Sequence, residues 1–148
     1  MRITLLTLAA SMLLFTGCSR NQQAETSTGG RPKVNSSLPM IGYIDAPADG
    51  ATVKGDFAIG GWTIWGQGVQ DIQFQIDGSP MPGKLQMNIA RPDVDHLHPD
   101  YQNPVSGWGA MFNTAALPAG THKVTVAAKS SQGNLRNVGS LTLNIVKP

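Results

Sequence analysis

Cysteine is almost missing from this chain: Cys18 is the only one in 148 residues. No intramolecular disulfide can staple the fold, so its stability has to come from a buried apolar core. Charge is scarce as well, at 14% Asp, Glu, Lys and Arg, while glycine and proline number 17 and 10. That balance speaks against long solvent-facing helices and for short strands joined by many turns. The longest apolar run, residues 3–15, falls short of the ~20 residues that a helix needs to cross a bilayer core, which disfavours a permanent helical span. Eleven Lys and Arg stand against nine Asp and Glu, and residues such as Lys54, Lys84, Lys123 and Arg136 are scattered along the chain. A nucleic-acid partner is excluded, because a phosphate footprint needs its cations clustered. Neither G-x-S-x-G, nor H-E-x-x-H, nor a phosphate loop occurs. The expectation is a protein that is not an enzyme and takes no cofactor.

Met1-Arg2, the apolar run and then Thr16-Gly17-Cys18 form a charged start, a hydrophobic core and small residues before a cut. This is the pattern of a secretory leader over residues 1–17. The ending Leu14-Phe15-Thr16-Gly17-Cys18 resembles the bacterial lipobox, with Phe15 where Leu or Val is usual. The resemblance implies that Cys18 is lipidated on sulfur and becomes the first mature residue. A lone thiol on an exported chain calls for such an explanation. Ser19 resembles the outer-membrane sorting signal of Gram-negative lipoproteins, so the expected location is the cell envelope, on the outer membrane, through the lipid. Residues 18–38 carry hardly an apolar side chain and are read as a flexible tether, with an r.m.s. reach of roughly 25 Å. Residues 39–148 remain for one compact domain.

Within that domain, alternating apolar residues between turn signals give about seven strands: 41–45, 51–54, 57–64, 71–77, 85–90, 108–113 with 121–128, and 138–146. The first two read as one edge strand broken at Pro47 and Asp49-Gly50. Since alternate side chains share a face, Ile72, Phe74 and Ile76 point inward, as do Trp108, Ala110 and Phe112. The same holds for Val124 and Val126, and for Leu141, Leu143 and Ile145. For Trp62 to join Phe57 and Ile59 inside, the phase has to slip by one, which predicts a β-bulge at Gly60-Gly61. The fold class is all-β, an antiparallel sandwich.

The order of markers then resembles the bacterial immunoglobulin-like domains of exported proteins. They run Gly42 to Gly50, Val53-Lys54-Gly55, Gly61-Trp62, Asp77-Gly78, Arg91-Pro92-Asp93-Val94, Pro99, Gly107-Trp108, Leu117 to His122, Gly133 and Gly139. The resemblance implies an immunoglobulin-like sandwich and a role in adhesion, glycan contact or spacing, without choosing among them. His98 stands before Pro99 where the family usually has Tyr. His122 occupies the position of the corner tyrosine of fibronectin type III domains, which implies a structural ring that hydrogen-bonds the preceding loop.

Two groups of residues suggest sites. Residues 91–100 gather Asp93, Asp95, Asp100, His96 and His98, a mixture of donors that suits Zn²⁺. As a calcium loop counted from Asp93 it fails, with His98 where glycine is required and Pro104 where Glu is required. The bland alternative has Pro92 opening a helical turn capped by Asp93 or Asp95, Arg91 pairing with a carboxylate, and His98 packing in place of Tyr. It is the preferred reading, and no metal is expected. Of the aromatics Tyr43, Trp62, Trp65, Tyr101 and Trp108, the two Gly-Trp pairs place Trp62 and Trp108 in the core. Trp65 and Tyr101 are left as exposed stacking surfaces for a sugar. With Arg91 and Asp93 they are the candidate ligand contacts, and the expected partner besides the membrane is an envelope protein or, alternatively, a glycan.

Overall fold

The computed structural model describes residues 35–147; the leader, Cys18 and the tether up to residue 34 lie outside the described residues. Nine strands follow in order: β1 (Ile41–Ala46), β2 (Ala51–Lys54), β3 (Asp56–Ile64), β4 (Val69–Ile76), β5 (Ser79–Pro80), β6 (Lys84–Ile89), β7 (Gly107–Asn113), β8 (Gly120–Ser130) and β9 (Leu135–Val146). One helix, α1 (Pro92–Leu97), interrupts them. A four-stranded sheet in the order β1-β3-β7-β6 faces a five-stranded sheet in the order β2-β9-β8-β4-β5. Among the described residues no helix is long and apolar enough to cross a membrane.

The broken first strand explains part of the difference from seven. β1 pairs antiparallel with β3, whereas β2 pairs with β9 in parallel, Ala51 against Leu143 through Lys54 against Val146. The break between them therefore carries the chain from one sheet to the other, and the sandwich departs from a wholly antiparallel pattern at this edge. Asp49 fixes the crossing: its Oδ1 accepts from the Thr142 N–H at 2.6 Å, and the Gly50 N–H donates to the Thr142 carbonyl at 2.8 Å. The other added strand, β5, follows Asp77-Gly78, whose φ values of 48° and 82° are those of a tight hairpin turn.

Every side chain assigned inward by alternation on β4, β7, β8 and β9 is buried. The exception lies on β3. Its pairing with β7 runs without a slip from Asp56 opposite Asn113 to Trp62 opposite Gly107, so no bulge occurs at Gly60-Gly61. Unbroken alternation turns Thr63 inward and Trp62 outward, where it is half-buried. The space above Gly61 is already taken, because a Cβ there would lie 2.8 Å from Cζ2 of Trp108. Thr63 is occupied too: its Oγ1 accepts from the Trp108 indole N–H at 2.9 Å. The irregularity sits across the ladder, on β1 between Ile44 and Ala46.

His122 is structural, with its main partner across the β4–β5 turn. Its Nδ1 lies 2.6 Å from Oδ2 of Asp77, whose Oδ1 accepts from the Lys123 N–H at 2.9 Å. The Asp77 carboxylate raises the His122 pKa against the opposing effect of burial, with the Ala119 and Pro118 backbone adding to the rise. The His122 hydrogen bond lowers that of Asp77. Asp77 contributes stability above its ordinary value of about 3.9, lost as the pH falls through its lowered pKa. His122 contributes below about 6.5, lost as the pH rises through its raised pKa. The difference in melting temperature between wild type and His122→Gln is therefore expected to peak near pH 5 and to shrink on both sides. A difference that stays flat from pH 5 to pH 9 would show that the ion pair is not its source.

Candidate functional site

Between β6 and β7 the chain leaves its sheet and lays α1 and a 3₁₀ turn, Pro99–Tyr101, over the outer face of the four-stranded sheet. This happens because the excursion carries its own apolar residues. Val94 and Tyr101 close over Ile64, with Leu38, Ile41 and Trp62 packed at the margin, and form a second small core. Pro92 begins α1 as expected, but no side chain caps the helix.

The Asp93 carboxylate is engaged by Arg91 instead. Arg91 Nε donates to Oδ1 of Asp93 at 2.9 Å and Nη2 to Oδ2 at 2.7 Å, while Nη1 reaches Oδ2 of Asp45 on β1 at 2.6 Å. The guanidinium thus clamps the excursion to the far edge strand of the sheet. Gly107 makes room for it, since a Cβ there would meet Cγ of Arg91 at 3.0 Å. The Arg91 hydrogen bonds, against a smaller opposing effect of burial, hold the Asp93 carboxyl at about 2, and the Arg91 pKa is raised. A lysine cannot reproduce the fork, so Arg91→Lys is expected to lower the urea midpoint at pH 7. Because the Asp93 pKa is depressed, this difference should be full above about pH 4 and fade as the pH falls toward 2. Urea titrations at pH 7 and pH 2.5 measure both.

The structure buries both rings that were expected to be exposed. Trp65 and Tyr101 are each 7% accessible. Residues 35–40, at the margin between the expected tether and the domain, fold back against Tyr101 and against Gly66, the neighbour of Trp65. The Tyr101 hydroxyl donates to the Pro39 carbonyl at 2.7 Å, and the Gly66 N–H donates to the Leu38 carbonyl at 3.2 Å. Burial is the main reason that the Tyr101 pKa is raised, with Asp100 adding to it. Trp65 borders a cleft of about 570 Å³ with Leu38, Met40, Gln67, Asn134 and Arg136.

The metal candidates do not converge: among the described residues no three His, Cys, Asp or Glu side chains are grouped to hold an ion. His96 and Asp100 are exposed, Asp95 is half-buried and Asp93 is held by Arg91. His98 is engaged by aromatic rings, 5.8 Å from Trp62 and 6.2 Å from Tyr101, edge-on to the latter.

The open aromatic is Tyr43, 64% accessible. It stands opposite Trp62 on the outer face of the four-stranded sheet. Beside this pair, Gly60 and Gly109 face each other across β3 and β7. Neither has a positive φ. A Cβ would come no closer than 3.6 Å to Trp108 O at the first and 3.8 Å to Ile89 Cδ1 at the second. Backbone and packing therefore leave room for larger residues, and the sheet presents a bare floor between Tyr43 and Trp62 on one side and the exposed Met111 on the other. Tyr43 could have been found in the sequence, since Ile41, Tyr43 and Asp45 share one face of an alternating strand.

The sandwich has counterparts among solved structures. The chain superposes on part of an endo-β-1,4-mannanase from Thermotoga petrophila with a TM-score of 0.54 at 12% identity, covering 82% of this chain and 22% of the enzyme. Fibronectin(III)-like modules of CbhA from Clostridium thermocellum match at 0.47 and 14%, covering 74% of this chain and 48% of theirs. The SrpA adhesin from Streptococcus sanguinis matches at 0.45 and 16%, covering 79% and 61%. At such identities the likeness is one of fold alone. A comparison with curated protein sequences gives no match. A family model, that of the bacterial Ig domain, matches residues 43–126. By that match, which takes in more than half of its residues, the chain belongs to the bacterial Ig domain family.

Proposed function

We propose that this protein is a lipoprotein of the bacterial cell envelope, held on the outer membrane by acyl chains on Cys18, whose Ig domain is a non-catalytic interaction module. The lipobox-like run and the single cysteine support the anchor. The placement of His122 supports a role without catalysis: it is held by Asp77, and its Nε2 is buried, so it is not presented to a substrate.

The observation that carries the module reading is the open face: Tyr43, 64% accessible and opposite Trp62, beside a floor that Gly60 and Gly109 leave bare. An exposed tyrosine beside a half-buried tryptophan offers the residue types that most often anchor a protein partner. A photo-crosslinking residue in place of Tyr43 is expected to give discrete protein adducts in intact cells. The same residue in place of Ala119, exposed in the β7–β8 connection, should give none. Identical patterns from both positions would remove the face from consideration.

The two aromatics also support a second reading, glycan contact, because sugar rings stack on such side chains. In that case Tyr43→Ala should abolish retardation on a polysaccharide affinity gel while the protein crosslinks are absent.

A further inference from the structure

The end of the sandwich that receives the chain from the tether carries three aliphatic side chains in the open. The registers Ile41 opposite Ile64, Trp62 opposite Gly107 and Lys129 opposite Leu135 place the start of β1, the 90–106 excursion and the β8–β9 turn at this one end. Leu97 closes α1, Val105 lies just before β7, and Leu135 opens β9; they are 72%, 42% and 53% accessible. Each is exposed where a connection meets a helix or strand, on the surface and not in the core. The incoming residues 35–40 are fixed to the same end through Tyr101 and Gly66.

We propose that this end of the domain rests on the bilayer, with Leu97, Val105 and Leu135 dipping into the boundary between headgroups and acyl chains. The inference rests on the anchoring at Cys18 proposed above. Residues 19–34 separate Cys18 from the first described residue, and a chain cannot carry the domain farther from its anchor than about 3.3–3.6 Å per residue. That reach keeps the three tips at an effective surface concentration of order millimolar, so a contact too weak to bind a free protein suffices to hold a tethered one. Charge does not drive the contact: Lys129 and Arg136 at this end are offset by Asp71, Asp95 and Asp100. Burial of apolar surface is the attractive force, and the docking should be nearly indifferent to salt and to the content of anionic lipid. Met111 and Val146, the open apolar side chains toward the opposite end, are strand residues that face away from such a surface.

The test uses the full-length acylated protein in vesicles of phosphatidylethanolamine and phosphatidylglycerol. Because acylation occupies Cys18, a cysteine introduced by Leu97→Cys, Val105→Cys, Leu135→Cys or, as control, Ala119→Cys takes a fluorescent label alone. Brominated lipids are expected to quench labels at 97, 105 and 135 at least threefold more than a label at 119, at low and high salt alike. Equal quenching at all four positions overturns the docking. Shielding of the three labels in intact cells without bromolipid quenching in vesicles assigns this end to a protein and overturns it too. The intact mass of the same sample separates the two proposals: a protein without acyl chains on Cys18 overturns the anchor and the docking with it, whereas an acylated protein with equal quenching overturns the docking alone.

Discussion

Trp108→Ala is expected to cost about 3–5 kcal/mol, a large share of the ~5–15 kcal/mol that holds a domain together. The ring is 2% accessible, sits edge-on to Phe74 at 5.8 Å, and fills the space above Gly61. With no disulfide to limit the unfolded chain, a loss of that size should leave the protein partly unfolded at 37 °C. The polar half of the same contact gives a sharper test. Thr63→Val keeps the volume but leaves the Trp108 indole N–H buried without an acceptor, which costs about 1–3 kcal/mol. Trp108→Phe leaves the Thr63 hydroxyl without its donor. Thr63→Val combined with Trp108→Phe removes both groups, so the double variant should lose clearly less than the sum of the single losses. Urea denaturation of the four proteins, with the slope unchanged among them, measures this. Strict additivity would mean that the 2.9 Å contact between Trp108 and Thr63 contributes nothing of its own.

That contact also marks where the sequence stopped being legible. Alternation correctly sorted Ile72, Phe74, Val124 and Leu143, because on those strands each inward position carries an apolar side chain. On β3 the inward positions after Ile59 are Gly61 and Thr63, one without a side chain and the other polar. Hydrophobicity alone therefore pulled Trp62 inside and required a bulge that the ladder does not contain. What decides is a tertiary fact, that Trp108 from the neighbouring strand fills the space above glycine and uses the threonine as its acceptor. The same limit explains Trp65 and Tyr101. Both lie in connections and look solvent-facing, yet both are buried, and residues 35–40, which composition assigns largely to the tether, fold back on Tyr101 and on Gly66 beside Trp65. The Arg91 clamp was half legible. A partner carboxylate close in sequence is Asp93, but Asp45, 46 residues earlier, is brought within reach only by the order of the strands.

Cys18→Ala, exported behind a leader that an ordinary signal peptidase removes, is expected to move the protein from the membrane fraction almost completely, and to do so without any effect on the fold. Two or three acyl chains, each stabilised by ~0.8 kcal/mol per buried CH₂, make attachment effectively permanent, whereas without them only surface contacts remain. The three open side chains Leu97, Val105 and Leu135 work through the high local concentration that the tether creates, and lose that advantage once the anchor is gone. They are therefore not expected to retain the variant on vesicles. With the leader gone from both proteins, their intact masses should differ by the lipid that wild type carries on Cys18 and the variant lacks. Cys18 precedes the first described residue by 17 positions, and an anchor that acts through lipid alone leaves the melting temperatures of the two proteins in detergent the same. Fractionation, intact mass and thermal melts on one pair of preparations read all three outcomes. A Cys18→Ala protein that stays with the membrane, has the same mass at its N-terminus as wild type, or melts at a different temperature would each contradict an anchor that acts through lipid alone.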